Sequence, residues 1–367
     1  RRGEVWIIDG VYDEPPFSPK FTLFASGLHE PLGLAVRTER EGGKDVAAVY
    51  CVQRGELTRM VDTSGDWKAD LYETVSDAWG VSGNYHEFAF GPKFDAEGNA
   101  YVTLNVGFCG SLGKSVVPWR GWGPEAATDR TLPPVSRVLR SPNGIGMFSD
   151  GAMFYLDNQG DFIGTNRMTW LKPGSFHGQP SGLRWQEGYR EGAPTPPVQP
   201  ATIWFPYRKL GQSGADFLLY DRSPEVGPPS PPTATAAFGP FEGQVFVGDQ
   251  TQARVMRVFI EKLDTPEGPV YQGAAFPFRE GLDCGVNRLA WGKDGSMLVG
   301  QTDRGWGSIG RRRYGLQRLV WTGRVPFEVQ EMRARPDGFE LVFTRDVDPA
   351  SAADPASYRM ISYTYEY

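Results

Sequence analysis

Apolar residues along the chain fall in runs of four to six broken by turn signals, and almost none recur at helical spacing. The stretch RSPNGIGMFSDGAMFYLDNQGD, residues 140–161, shows the pattern most fully. It predicts a short apolar strand over 144–148, a Ser-Asp-Gly turn at 149–151, a second strand over 152–156, and a polar tip, Asp157-Asn158-Gln159-Gly160. An Asp-Gly turn between two apolar runs is a strong hairpin signal. In an antiparallel pair the residues that lead into the first strand (Arg140, Asn143) and those that leave the second (Asp157, Asn158) share one edge.

Two landmarks repeat in order. One is a four-residue apolar strand, at 33–36, 87–90, 144–147, 214–217 and 288–291. The other is a strand that ends on a polar residue: Gln53, Asn105, Asp157, Asp249 and Gln301, spaced 52, 52, 92 and 52 residues apart. A period near 50 with several short strands per unit is the size of one β-propeller blade. The long step is filled by two Pro-rich insertions, 192–200 and 224–240, which predict surface loops. Five units are countable; the N-terminal strands EVWIIDG and FTLFASG either close the ring or contribute to a sixth. The expectation is an all-β, five- or six-bladed propeller over 1–323. From 324 to 367 the alternation changes and suggests the start of an immunoglobulin-like sandwich.

Composition agrees. Gly and Pro make up about a fifth of the chain, which carries 11 Trp, and this disfavours long helices. The net charge of -6 argues against a nucleic-acid partner, and no apolar run is long enough to span a membrane. The chain starts at Arg1 without Met and stops in what reads as mid-strand at Tyr367, so processing or trimming at both ends is expected. Cys51, Cys109 and Cys284 form no CxxC, so neither a zinc site nor covalent haem is encoded; one disulfide with a spare thiol and three buried thiols both remain open.

In a propeller the polar strand ends share one mouth. This gathers His29, Tyr85, His86, Arg140, Asn143, Gln212, Ser213 and Asn287 near Gln53, Asn105, Asp157, Asn158, Asp249, Gln301 and Asp303. The alternative is that such residues only satisfy turn backbones. His86 is the candidate general base, since imidazole titrates near neutral pH. In DTSGDWKADLYE, oxygen ligands fall at positions 1, 3, 5, 9 and 12 of a calcium loop (Asp62, Ser64, Asp66, Asp70, Glu73), although position 6 is Trp67 where that loop wants Gly. A structural calcium and a plain acidic turn are the two readings. Trp79, Trp119, Trp122, Trp170, Trp204 and Trp306 lie in Gly-rich or polar loops, where they either grip sugar rings or pack the propeller.

The segments ASGLHEPLGLAV, FAFGPKFDAEGNAYVT, RSPNGIGM, NRMTWLKPGSFHGQP, GQVFVGDQTQARVMRV and NRLAWGKDGSMLVGQTD resemble, in the same order, the blade motifs of soluble sugar dehydrogenases that use pyrroloquinoline quinone. The likeness covers roughly residues 20–321 and is closer still to the propeller module of large secreted bacterial membrane-bound dehydrogenases that carry a c-type haem domain. The resemblance implies a quinone cofactor, with Arg140-Ser141-Pro142-Asn143-Gly144 matching the family's Arg-Asn-x-Gln-Gly pocket motif and Gln53 at a pocket position. His86 falls a few residues later than the family's catalytic histidine. The family's lysine position holds Thr251 and Gln252, and its two later arginines fall on Gly285 and Asn287; Arg54, Arg254, Arg288 and Arg304 stand nearby as substitutes.

The expected function is thus oxidation of a sugar or polyol in the periplasm or outside the cell. His86 would take the proton, aided by Asp157. The quinone would lie near Gln53, Arg140, Asn143, Asn158, Asp249, Asp303 and Arg304, with calcium polarising it, and a c-type cytochrome would take the electrons. A cofactor-free hydrolase or lactonase using Asp157, Asp249 and Asp303, and a non-catalytic glycan- or protein-binding module, are the alternatives.

Overall fold

The computed structural model describes residues 3–107, 116–126, 134–221, 238–305, 307–362 and 364. The chain divides into two compact units, one holding Arg1–Asp161 and Thr169–Pro200, the other Phe162–Met168, Ala201–Pro224 and Pro229–Tyr367. Cys109 and Trp306 lie outside the described residues, as does most of the second Pro-rich insertion.

The first unit begins with an antiparallel pair, β1 (Gly3–Asp9) and β2 (Lys20–Leu28), so the N-terminal strands form a sheet of their own. A four-stranded sheet follows in chain order: β3 (Gly33–Glu41), β4 (Lys44–Val52), β5 (Leu57–Val61) and β6 (Leu71–Ser76). The β3–β4 hairpin turns through Gly42 and Gly43, both at positive φ (55° and 82°), which a two-residue turn with the twist of its strands requires. β5 is nearly all buried and sits in the middle of the sheet, whereas β3 alternates, as a strand with one wetted face should. Next come β7 (Ala89–Phe94), β8 (Ala100–Leu104), β9 (Trp122–Ala126) and β10 (Pro134–Arg137), again in order, and the hairpin β11 (Pro142–Met147) and β12 (Met153–Asp157).

The hairpin predicted at 144–156 is present with its Asp-Gly turn: Phe148 N–H bonds the Ala152 carbonyl and Gly151 takes φ +79°. The strand predicted at 87–90 begins later, at Ala89, because Glu87 turns inward to bind a loop amide. Val52, Leu57, Val61, Trp79, Val102 and Leu104 form the core between the two four-stranded sheets. Their first strands meet backbone to backbone: a Cβ on Gly33 would lie 1.6 Å from the Gly91 carbonyl oxygen, so no side chain fits.

The second unit holds the pair β13 (Asn166–Trp170) and β14 (Ile203–Phe205), joined through Asn166–Met168. A four-stranded sheet follows, β15 (Gly214–Leu219), β16 (Val245–Asp249), β17 (Arg254–Thr265) and β18 (Gly268–Arg279), then a three-stranded one, β19 (Val286–Trp291), β20 (Met297–Thr302) and β21 (Tyr314–Leu319). Phe238, Phe241, Phe246 and Trp291 interlock at ring separations of 5.2 to 6.5 Å. All five repeats read from the sequence therefore correspond to hairpins: β3–β4, β7–β8, β11–β12, β15–β16 and β19–β20.

After β21 the chain forms a two-stranded sheet, β22 (Val329–Arg335) and β23 (Gly338–Phe343), and a helical turn, α1 (Pro349–Ala353), capped by Asp348. Fully buried Arg257 of β17 fastens this segment. Its guanidinium donates to the carbonyls of Val329 (2.7 Å) and Gln330 (2.8 Å), pairs with Glu328 (3.1 Å), and lies between the rings of Phe241 and Phe276 at 4.3 and 4.4 Å. Substituting Met for Arg257 removes every one of these bonds. Limited proteolysis of that variant is expected to cut near 322–328 well before the rest of the chain, and resistance equal to the wild type would show that other contacts suffice.

Candidate functional site

The polar residues that end the second strands act first as clips. Asp157 accepts N–H from Ser141 (2.7 Å), Arg140 (3.3 Å) and Asn158 (3.1 Å). Asp249 accepts from Gln212 (2.6 Å), Ser213 (2.8 Å) and Gln252 (2.8 Å). Gln53 accepts from His29 N–H and donates to Glu56 and Thr58, while Gln301 donates to the Cys284 carbonyl. Each side chain thus binds the backbone that leads into the first strand of its own hairpin. The reason is geometric: an antiparallel pair leaves unpaired backbone groups at that edge, and a carboxylate or amide side chain at or just past the end of the ladder reaches them.

This adds a structural role to the predicted site. Asp157 and Asp249 are almost fully enclosed, and each directs its oxygens at three backbone amides, so both carboxylates hold their hairpins closed. Asp303 pairs with Arg313, and the Arg304 carbonyl accepts from Gln250. Within the second unit Gln212, Ser213, Asp249 and Gln252 are brought together, Gln252 also donating to Gln212 (2.6 Å).

His86 survives with a different setting. It sits on the loop 78–88 ahead of β7, and three buried charges shape that loop. Arg54 donates to the carbonyls of Asn84 (2.5 Å) and Tyr85 (2.8 Å) and pairs with Glu30 at 2.7 Å. Arg120, with no exposed surface, donates to the carbonyls of Gly80 (2.7 Å), Phe88 (2.8 Å) and Arg54 (3.1 Å). Glu87, equally buried, accepts from Ser82 N–H (2.7 Å) and supplies the negative charge facing Arg120. Arg120 and Glu87 were not picked out as site residues from the sequence. A cation inside the Trp-rich run PWRGWG was the signal that an arginine goes inward there.

Burial, then the charges of Arg140 and Arg54, hold the His86 imidazole well below its ordinary value, at about 4. It is therefore neutral at pH 7. Arg140 lies against Gly160, where a Cβ would come within 1.8 Å of the guanidinium carbon, so the guanidinium fills the space that a side chain at 160 would take. Ser141 Oγ joins Arg140 (3.3 Å) to Asn105 (3.2 Å). The side-chain oxygen of Asn158 is buried with no hydrogen-bond partner. Asn143 enters the same turn through its N–H to the Ser141 carbonyl (3.0 Å).

The calcium loop does not assemble. Asp62 accepts the N–H groups of Ser64, Gly65, Asp66 and Trp67, Asp70 accepts from Thr63, Asp66 pairs with Lys68 and Glu73 pairs with Arg59. The carboxylates cap a turn in which Trp67 takes φ +66°. Among the described residues no three of His, Cys, Asp and Glu stand close enough to share an ion, so the residues do not fit calcium. Trp79 and Trp122 are buried with indole N–H bonded to carbonyls, which makes them packing groups; Trp204 is half exposed. Cys51 and Cys284 are buried and unbridged. Among the described residues no helix is long and apolar enough to cross a membrane.

No protein-family model matches the sequence, and no curated protein matches it. Solved structures do. One is an oxidoreductase described as a glucose dehydrogenase, from Thermus thermophilus: 15% identity, TM-score 0.55, covering 87% of this chain and 93% of that one. The PQQ-bound form of an aldose sugar dehydrogenase from Streptomyces coelicolor gives 14% identity and TM-score 0.51 over 87% of this chain and 91% of that one. A further glucose dehydrogenase gives 15% identity and TM-score 0.50 over 86% and 89%. The chain has their fold. It is the all-β, propeller-type fold that the five repeats predicted.

Whether the residues at hand suit a carboxylate-bearing quinone turns on the first unit. There the Arg140 guanidinium, an orphaned buried amide oxygen at Asn158 and a neutral imidazole make a set that fits an anionic, carbonyl-rich ring, while Arg54 is committed to Glu30 and to the loop carbonyls. The Asn158 amide, turned over, offers N–H where its oxygen now lacks a donor.

Proposed function

We propose that the protein is a quinoprotein-type oxidoreductase that oxidises a sugar or polyol hydroxyl beside His86. The observation that carries this reading is the neutral, enclosed imidazole between two arginine charges, on a fold similar to that of glucose and aldose sugar dehydrogenases. Arg140 and Asn158, with the neighbouring Asn143, would hold the cofactor, pyrroloquinoline quinone, the Arg140 guanidinium offsetting its negative charge. The bound quinone supplies the hydride acceptor. His86 accepts the substrate hydroxyl proton on an imidazole nitrogen. Arg54, Arg120 and Glu87 keep the loop 78–88 in place, so that the ring need not be reorganised at that moment. Secretion or a periplasmic location and a cytochrome acceptor belong to the same proposal. The hydrolase alternative loses support because Asp157, Asp249 and Asp303 are engaged elsewhere.

An anion seated on Arg140 offsets one of the charges that depress His86. The His86 ring signals, followed by NMR, are expected to titrate near pH 4 in the free chain and at higher pH with pyrroloquinoline quinone added. Sugar-dependent reduction of an artificial acceptor should then require the quinone. A titration that ignores the quinone, together with no turnover on a sugar and polyol panel, would sink the proposal.

A further inference from the structure

A pocket of about 430 Å³ opens in the first unit beside the β1–β2 pair, lined by residues 26–29 at the end of β2, by Gln53, Gly55, Glu56 and Thr58 around the start of β5, and by Tyr72 and Thr74 of β6. Its volume lies in the range of small-molecule sites. The β1–β2 pair covers part of the sheet with an apolar seam, Val5, Phe24, Ala25 and Leu28 against Cys51 and Met60. Past the end of that seam the surface becomes polar. Thr58 and Thr74 are register partners, and Tyr72, two residues before Thr74, presents its ring on the same side, 44% exposed.

One carboxylate organises this patch. Glu56 accepts from Gln53 (2.9 Å) and Thr58 (2.5 Å) with one oxygen and from Thr74 (3.4 Å) with the other. No Lys or Arg lines the pocket, which disfavours phosphates and the carboxylates of a quinone; Leu28 alone is aliphatic, which disfavours a lipid or an apolar ring. What remains is a set of hydroxyl, amide and carboxylate groups, with the imidazole of His29, that can take and give hydrogen bonds to a row of hydroxyls, flanked by the Tyr72 ring.

From this cleft we infer a binding site for a neutral saccharide of one or two rings, separate from the His86 loop. The site needs no turnover to be seen, so it stands or falls apart from the oxidoreductase reading. The test is titration calorimetry of the full chain with glucose, maltose, cellobiose and chitobiose, using gluconate and glucosamine as charged comparators. At least one neutral sugar should bind. Tyr72→Ala should weaken it about fivefold, since an aromatic contact is worth roughly 1 kcal/mol. Glu56→Gln should weaken it too, while His86→Gln should leave it unchanged, all three with wild-type circular dichroism. The inference is overturned by no neutral sugar binding, by tighter binding of either charged comparator, by indifference to Tyr72→Ala, or by loss of binding in His86→Gln.

Discussion

Replacing Arg120 with Met is expected to be among the most destabilising single changes in the first unit. The side chain is fully enclosed and its guanidinium bonds three carbonyls, Gly80 and Phe88 at the two ends of the loop 78–88 and Arg54 ahead of β5. A methionine fills similar volume but leaves those oxygens without donors and leaves Glu87, also fully enclosed, without the charge that faces it. Each buried carbonyl left without its donor costs about 1–3 kcal/mol, so the change costs on the order of 3–5 kcal/mol, which for a protein of this size lowers Tm by on the order of 10 °C. Thermal unfolding by circular dichroism measures it. The pairing adds a second expectation: in Arg120→Met/Glu87→Gln the two effects should fall short of their sum by about 1–3 kcal/mol, because the double variant no longer buries a lone carboxylate. Strict additivity would mean that Glu87 and Arg120 do not depend on each other.

The repeat was legible because it rests on backbone chemistry. A strand that ends in Asp, Asn or Gln at a fixed step is a hairpin with its edge amides satisfied, and the five hairpins are where the spacing put them. The same feature misled the reading of the site. Asp157 and Asp249 recur because each clips its own hairpin, a demand every blade makes, so their recurrence reports backbone satisfaction and is no evidence by itself of chemistry. What is particular to one blade was harder to see. Arg120 and Glu87 act on His86 through main-chain carbonyls and amides, and such bonds have no sequence spacing, since the partners of Arg120 lie 32 to 66 residues away. The acidic loop at 62–73 shows the converse. Its ligand pattern matched, yet Trp67 replaces the glycine and the carboxylates turn to the loop's own N–H groups and to Arg59.

Replacing His86 with Gln is expected to remove nearly all turnover and little stability. Glutamine keeps the polar end and comparable bulk but cannot accept a proton, so kcat should fall by about 10²–10⁴ with KM close to that of the wild type. Acid behaviour separates this from a merely structural role. The folded pKa of His86, about 4, lies below the ordinary value of 6.5, so the ring is neutral in both states above pH 6.5 and contributes no pH dependence there. As pH falls from 6.5 toward 4 the unfolded chain binds a proton that the folded chain refuses, and stability declines over that window. In His86→Gln this decline should shrink, leaving the variant more resistant to denaturant than the wild type at about pH 4.5 relative to pH 7. Full activity in the variant would end the role assigned to His86. Lost activity with an unchanged acid profile would place the ring in a more solvated setting than the one described, and with it the two arginines that keep it neutral.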